Sequence, residues 1–384
     1  MTLSQEQLEW LQSKLDFGTL AEMLKAARDK FPDTDIVPTI LLAGRTGAGK
    51  SSLVNALAGR EVSPVGVVPT TQKPTPSELE DAGIPLRVVD MPGVGEAGRH
   101  AERMDQMLSQ IPDAHMMLLC VPCPERSLEC EAKLLAEARQ AFFGRSPLPV
   151  VCAGTKIDCA SPARDWTPAR LDLGSPSTDK ERNIAEWIRY AEHVLPDAGK
   201  IHPCSAGMSL DDVDGRYGLE ALRRSIFQAL PDAARTYFAR AVQDKALLDQ
   251  RAEAIVRTHA GMASAAAAQP IAAIPDAALI MPIQVAMLMR LTTLHGRELT
   301  LDLAVQLLGP LAARMAGRFA FEQIAKLIPV AGSIAGAAVA GTMTYALGMA
   351  FHTMLHGGDW SFDPEALKNE ALRWMDKAKK ALSQ

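Results

Sequence analysis

Aromatic rings are scarce in this chain: Phe, Trp and Tyr make up 5% of 384 residues. Proteins that bind single-stranded nucleic acid stack bases on such rings, so the composition argues against that class. A basic excess is missing too. Forty Lys and Arg stand against forty-five Asp and Glu, a formal charge of -5, whereas wrapping a phosphate backbone needs a basic footprint. Nucleic acid is therefore not an expected partner. The six cysteines are too few for a disulfide scaffold in a chain of this length. Cys120 and Cys123 form a C-x-x-C, but no second cysteine pair or nearby histidine completes a zinc set, and Cys120 lies in the apolar run His115–Val121. Buried strand cysteines are the expected outcome. The start, Met1-Thr2-Leu3-Ser4-Gln5-Glu6, lacks the basic-then-apolar stretch of a secretory signal. The expected location is thus a reducing cytoplasm.

The rest of the composition, 48% hydrophobic and 22% charged, is that of a globular protein, and the length predicts two or three domains. Residues 1–35 carry leucines near helical spacing, with Gly18 as a break, and read as N-terminal helices. Between residues 36 and 232, short apolar runs (Ile36–Ala43, Leu86–Val89, His115–Val121, Leu148–Ala153, Lys200–Cys204) alternate with helical stretches. Such alternation predicts an α/β domain, a mostly parallel sheet with helices on both faces. Residues 159–180, rich in proline and charge, read as a surface insertion. From 233 to 384 the pattern is helical only, predicting an all-α C-terminal region. It opens with one charged connector helix, Ala233–Thr258.

The chemistry concentrates in the α/β part. Gly44-Arg45-Thr46-Gly47-Ala48-Gly49-Lys50-Ser51 matches G-x-x-x-x-G-K-[ST] between a predicted strand and a predicted helix, the context of a phosphate-binding loop. Glycines let successive backbone N–H groups curl around phosphates, and the helix N-terminus favours negative charge. The expected nucleotide contacts are Gly44, Gly47, Ala48, Gly49, Lys50, Ser51 and Ser52. Lys50 would meet the β- and γ-phosphates, and the Ser51 hydroxyl would bind Mg2+. Forty residues beyond Lys50 comes Asp90-Met91-Pro92-Gly93. Asp90 can hold Mg2+ through water, and Gly93 can offer its N–H to the γ-phosphate. Thr155-Lys156-Ile157-Asp158 ends another apolar run. A carboxylate there accepts two hydrogen bonds from the guanine edge and rejects adenine, while the Lys156 stem can lie over the base. Ser205-Ala206 follows the last apolar run, where a loop N–H can reach guanine O6.

These four motifs, in this order and spacing, resemble the translation-factor-related GTPases. The wording G-R-T-G-A-G-K-S-S-L-V-N-A-L, with Thr70-Thr71 and then D-M-P-G-V-G, resembles the Era-like bacterial GTPases, and the immunity-related GTPases less closely. The resemblance covers roughly residues 36–230. It implies a GTP/GDP-binding protein with Mg2+ and GTP hydrolysis, Thr71 as the switch-loop Mg2+ ligand, and Lys50, Thr71 and Gly93 as the catalytic set. One departure stands out: Val94 occupies the place where Ras-type enzymes carry the water-orienting Gln. Turnover is therefore expected to be slow, with Glu96, Arg45 or a partner's group as substitutes for the missing function.

In the helical half, Ile274-Pro275-Asp276-Ala277, Pro282-Ile283-Gln284, Ile328-Pro329-Val330-Ala331-Gly332 and Tyr345-Ala346-Leu347-Gly348 resemble an uncharacterised domain that follows bacterial Era-like GTPase domains. Residues 327–358 contain no Asp, Glu, Lys or Arg beyond Lys326 at their edge. Two readings fit: a bilayer-contacting segment, or a soluble bundle in which Gly332, Gly336, Ala337 and Gly341 let helices pack closely. The bundle is favoured because the run is rich in Gly and Ala rather than Leu. The expected function is a slow GTP-binding switch whose helical region passes the nucleotide state to a protein partner or the inner face of a membrane. A dynamin-like assembling GTPase with GTP-dependent self-association, and a non-hydrolysing GTP-binding interaction protein, are the competing readings.

Overall fold

The fold is that of a computed structural model, which describes residues 25, 27, 29, 34–61, 87–90, 114–141, 147–268, 276–297, 333–356 and 364–382. It divides into two compact units, one formed by Asp35–Leu247 and the other by Met1–Thr34 with Leu248–Gln384.

The first unit is built on five parallel strands: β1 (Thr39–Ala43), β2 (Arg87–Asp90), β3 (Met116–Pro122), β4 (Val150–Thr155) and β5 (Ile201–Pro203). Their spatial order is β2-β1-β3-β4-β5. Strands β1 and β3 are buried along almost their whole length, which is why they read as continuous apolar runs rather than alternating ones. Between the strands run α1 (Lys50–Ala58), α2 (Glu129–Ala141) and α3 (Asp179–Val194), and α4 (Leu219–Ala229) and α5 (Asp232–Val242) follow the last strand. Leu41, Met117, Leu119 and Cys152 share one core with Leu134 and Leu135 of α2 and Ile184 and Trp187 of α3. Helix α4 packs on β4 and on α1. A two-stranded hairpin, β6 (Ser205–Ala206) with β7 (Arg216–Tyr217), follows β5.

The expected single connector helix over Ala233–Thr258 is corrected. Helix α5 stops at Gln243, whose φ of 51° is left-handed, and α6 (Lys245–Ala267) starts anew. The Asp244 carboxylate accepts the Ala246 and Leu247 N–H groups at 3.1 and 3.3 Å, which makes it the N-cap of the new helix. Asp244 also draws in Arg223, whose guanidinium donates to the Ala56 and Leu57 carbonyls at the end of α1. The last carbonyls of a helix have no partner within it, so Arg223 fixes the helix that the phosphate loop opens.

The second unit, from Leu248, contains the rest of α6 with α7 (Asp276–Leu294), α8 (Ser333–His356) and α9 (Pro364–Leu382). Helix α8 packs against α7 and α9. A Cβ on Gly348 would lie 2.6 Å from Val256 Cγ2 of α6 and 2.7 Å from Met287 Sδ of α7. Gly348 is therefore the point where three helices come too close for any side chain. Gln284 Nε2 donates to Thr344 Oγ1 at 3.1 Å between α7 and α8. Among the described residues no helix is long and apolar enough to cross a membrane. Of the N-terminal helices, Lys25, Ala27 and Asp29 are helical, and the rest of that segment lies outside the described residues.

Candidate functional site

Strands β1, β2 and β4 run parallel, so their C-terminal ends collect at one edge of the sheet. The order reverses between β1 and β3, the switch point where open α/β sheets bind ligands. Directly after β1 comes the loop Gly44–Gly49. Gly44 has φ 146°, and a Cβ there would meet the Cys120 carbonyl oxygen of β3 at 2.5 Å. The loop can lie this close to the sheet only because the residue is glycine. Gly49, also left-handed at φ 82°, is the N-cap of α1 and supplies no side-chain cap. The first-turn N–H groups, those around Ser51 and Ser52, thus lack a side-chain cap and face the loop, an arrangement suited to an anion. The half-buried Lys50 turns back into the loop, its Nζ donating to the Gly44 carbonyl at 3.1 Å and the Arg45 carbonyl at 3.3 Å. Its charge therefore lies where a phosphate chain would be cradled.

The guanine-recognition candidates assemble at the ends of β4 and β5. Thr155 is buried, and its hydroxyl donates to the Ala48 carbonyl at 2.6 Å. It pins the phosphate loop to β4, a positioning role for a residue of the nucleotide-binding motif. Lys156 is exposed, with φ 57°, and its stem runs along Gly49, so that a Cβ there would lie 3.4 Å from Lys156 Cε. The half-buried Asp158 follows in a 3-10 turn, Ile157–Cys159. Cys204 N–H donates to the Gly154 carbonyl at 2.7 Å, which brings Ser205-Ala206 alongside this turn. The Ser205 hydroxyl in turn accepts the Gly207 N–H at 3.2 Å. Loop, turn and hairpin thus meet at one place.

Asp90 is the last residue of β2, in register with Leu42 of β1 two positions before Gly44. Its backbone thus ends next to β1, just before the phosphate loop begins. Thr71, Gly93, Val94 and Glu96 lie outside the described residues.

Arg45, one of the candidate substitutes for the water-orienting group, is engaged by acidic residues. Its Nε and Nη2 pair with Glu131 at 2.8 and 2.9 Å, Nη1 meets Glu125 at 2.8 Å, and Nη2 also donates to the Ser127 carbonyl. Glu131 is fully buried. The Glu131 hydrogen bonds hold the guanidinium pKa above its ordinary value. A bidentate, charge-assisted pair of this kind is a lock, and withdrawing Arg45 would leave a buried carboxylate uncompensated.

Two supporting residues escaped the sequence. Lys180 is 1% exposed, and its ammonium donates to the carbonyls of Asp158, Ala160 and Pro162 at 2.7, 2.8 and 3.1 Å. Burial pushes its pKa down. It clamps the backbone just after the guanine motif. Nothing in the sequence marks it, since a lysine in the first turn of a helix reads as solvated. Glu131 is hidden in the same way by its place at the start of α2. The six cysteines are free thiols. Cys120 and Cys123 are buried as expected, and burial pushes Cys123 up to about 12.

Residues 39–152 match the family described as 50S ribosome-binding GTPase. Over 204 residues the chain is 28% identical to uncharacterized protein YfjP of Escherichia coli (strain K12), covering 52% of this chain and 65% of that protein. It is also 34% identical over 161 residues to the tRNA modification GTPase MnmE of Haemophilus influenzae (strain PittEE), covering 40% of this chain and 35% of MnmE. The chain thus spans less than two thirds of the length of these relatives. Among solved structures it is similar to Era in complex with MgGDPNP and a segment of 16S ribosomal RNA, at 20% identity and TM-score 0.35, covering 59% of this chain and 68% of that one. The family match, the sheet order and the loop built around Gly44 and Lys50 lead to one conclusion: this chain carries a P-loop GTPase domain, a parallel sheet with its phosphate loop at the switch point, followed by several helices.

Proposed function

We propose that the protein is a slow GTPase acting as a GTP-binding switch in the cytoplasm, with Mg2+ as its metal. The observation that carries this reading is the convergence of the phosphate loop, the Thr155–Asp158 turn and Ser205-Ala206 at one sheet edge. The residues fit the ligand. Gly44 leaves room for backbone approach, Lys50 holds its charge inside the loop, and the α1 N-terminus has no side-chain cap. Ser51, Thr71 and Asp90 would hold Mg2+, which neutralises phosphate charge. Lys50 would bind the phosphates, Gly93 would orient the γ-phosphate through its N–H, and Asp158 would select guanine with Lys156 stacked on the base. The dynamin-like reading and the non-hydrolysing one share this pocket and differ only in the steps after binding. The state is passed to a protein partner or a membrane surface through the helical region.

Calorimetry on the full chain tests the assignment. GTP and GDP should bind far more tightly than ATP. Asp158→Asn should shift preference from guanine toward xanthine nucleotides, because an amide presents a donor where guanine needs an acceptor. Lys50→Ala should lose about 1.5–3 kcal/mol of triphosphate affinity. Equal binding of ATP and GTP by the wild type would overturn the reading.

A further inference from the structure

The helical unit holds a cluster that the nucleotide site does not use. His352 and His356 lie four residues apart on α8, one turn, so their rings share a face. Asp249 of α6 reaches both. Its Oδ1 is 2.9 Å from His352 Nε2 and 3.1 Å from His356 Nε2. Just past the end of α7, His295 brings Nε2 to 3.0 Å from His352 Nδ1. The three ring centroids lie 5.0 to 5.3 Å apart. The His352 side chain is 4% exposed, that of His356 26% and that of Asp249 48%.

The set has the chemistry of a cation site. One donor atom each from Asp249, His352 and His356 lies within 4.8 Å of the other two. The two nitrogens converge on a single carboxylate oxygen, at separations close to the ~3.0–3.4 Å edges of a coordination shell with ~2.1 Å metal–ligand bonds. Two imidazoles and one carboxylate select borderline divalent transition metals, whereas Ca2+ and Mg2+ prefer shells made of oxygen alone. Ligating histidines usually donate their other ring N–H to a fixed acceptor, and His295 Nε2 stands at that place for His352. A pure hydrogen-bond latch would place the same atoms nearby, so the two accounts separate only on whether a metal binds.

We propose that Asp249, His352 and His356 form a binding site for one divalent first-row transition metal ion of the zinc type, with His295 as a positioning residue behind His352. Three protein ligands leave one position for water or an outside ligand, and the exposed side of Asp249 puts that position toward solvent. Bound there, the ion clasps α6 to α8. This site is independent of the nucleotide reading and stands if that reading fails.

The test uses untagged full-length protein stripped with a chelator, then titrated with Co2+ and, in competition, Zn2+. One ion per chain should bind, with the visible d–d bands of low-coordinate cobalt, and Zn2+ should raise the melting temperature by mass action. His356→Gln and Asp249→Asn sit at partly exposed positions and should stay folded by circular dichroism. Each should weaken Co2+ binding by more than tenfold and lose the zinc-dependent rise in melting temperature. His295→Gln should weaken binding by about 10–100-fold yet keep the wild-type cobalt spectrum at saturation, which a merely structural role would not produce. Less than one ion per wild-type chain, or folded His356→Gln and Asp249→Asn binding cobalt like the wild type, would overturn the site.

Discussion

Gly44 and Arg45 are neighbours in sequence and do opposite things. Gly44 is there for what it lacks: with φ 146° and the Cys120 carbonyl 2.5 Å from where a Cβ would stand, any side chain displaces the loop from β3. Gly44→Ala should therefore destabilise the domain by about 1–3 kcal/mol and abolish most nucleotide affinity. Gly47→Ala, left-handed at φ 79° but with open space around it, should cost only the about 1–2 kcal/mol of a left-handed alanine and keep more nucleotide affinity. Thermal denaturation and nucleotide titration of the two variants side by side check the contrast. Arg45 is there for its three-way grip on Glu131, Glu125 and Ser127, which ties the loop to the start of α2. The glycine was legible because a left-handed turn leaves a residue type behind it. The grip was not, because Glu131 lies 86 positions away.

Helix α3 illustrates how one element holds a distant motif. Thr178 and Glu181 form a capping box at its start. Glu181 also accepts the N–H groups of Asp172 and Ser177 at 2.9 and 2.8 Å, which orders the insertion before the helix. Next to it, Lys180 grips the segment after Asp158. The backbone donors, Asp172 first, lower the Glu181 pKa from 4.5 to about 2. A carboxylate depressed in the folded state stabilises fully above its unfolded pKa and loses that effect as pH falls through the folded value. The stabilisation should thus be complete above about pH 4.5 and fade toward pH 2. Denaturant melts of wild type and Glu181→Gln should differ clearly at pH 7 and converge as the pH approaches about 2. A gap that persists at low pH would mean that the charge is not responsible. The proline-rich stretch 159–180 was legible as an insertion. Two of its anchors, Lys180 and the Trp166 indole donating to the Gly215 carbonyl at 3.0 Å, carry no local signal.

At the scale of the whole molecule, the proposed GTPase reading needs a water-orienting group from elsewhere, because Val94 stands where Ras-type enzymes carry Gln. With Arg45 held by Glu131, Glu96 and a partner's group remain from the substitutes considered. Single-turnover GTP hydrolysis by the isolated protein should be slow, around 10⁻⁴–10⁻² s⁻¹ as for unassisted GTPases. Thr71→Ala should lower it further if Thr71 is the Mg2+ ligand proposed above. Repeating the measurement at rising protein concentration and with liposomes tests self-association and membrane contact as sources of stimulation. A fast, concentration-independent rate that survives Thr71→Ala would place the catalytic apparatus elsewhere.

The sequence by itself determined the parts whose physics is local. Phosphate binding needs glycines and a lysine within eight residues, parallel strands buried on both faces must be apolar throughout, and Gly and Ala in place of Leu signal close helix packing. These constraints act on neighbouring residues and leave a readable pattern. Tertiary structure decided everything that depends on distant side chains meeting: Thr155 on Ala48, Arg223 on the end of α1, Lys180 beneath the guanine motif, and Asp249 among three histidines. His352 and His356 did carry a local sign, their four-residue spacing on one helical turn. Their partner, though, lies 103 and 107 positions earlier, and no spacing rule spans that distance, because chain folding alone sets which helix faces meet.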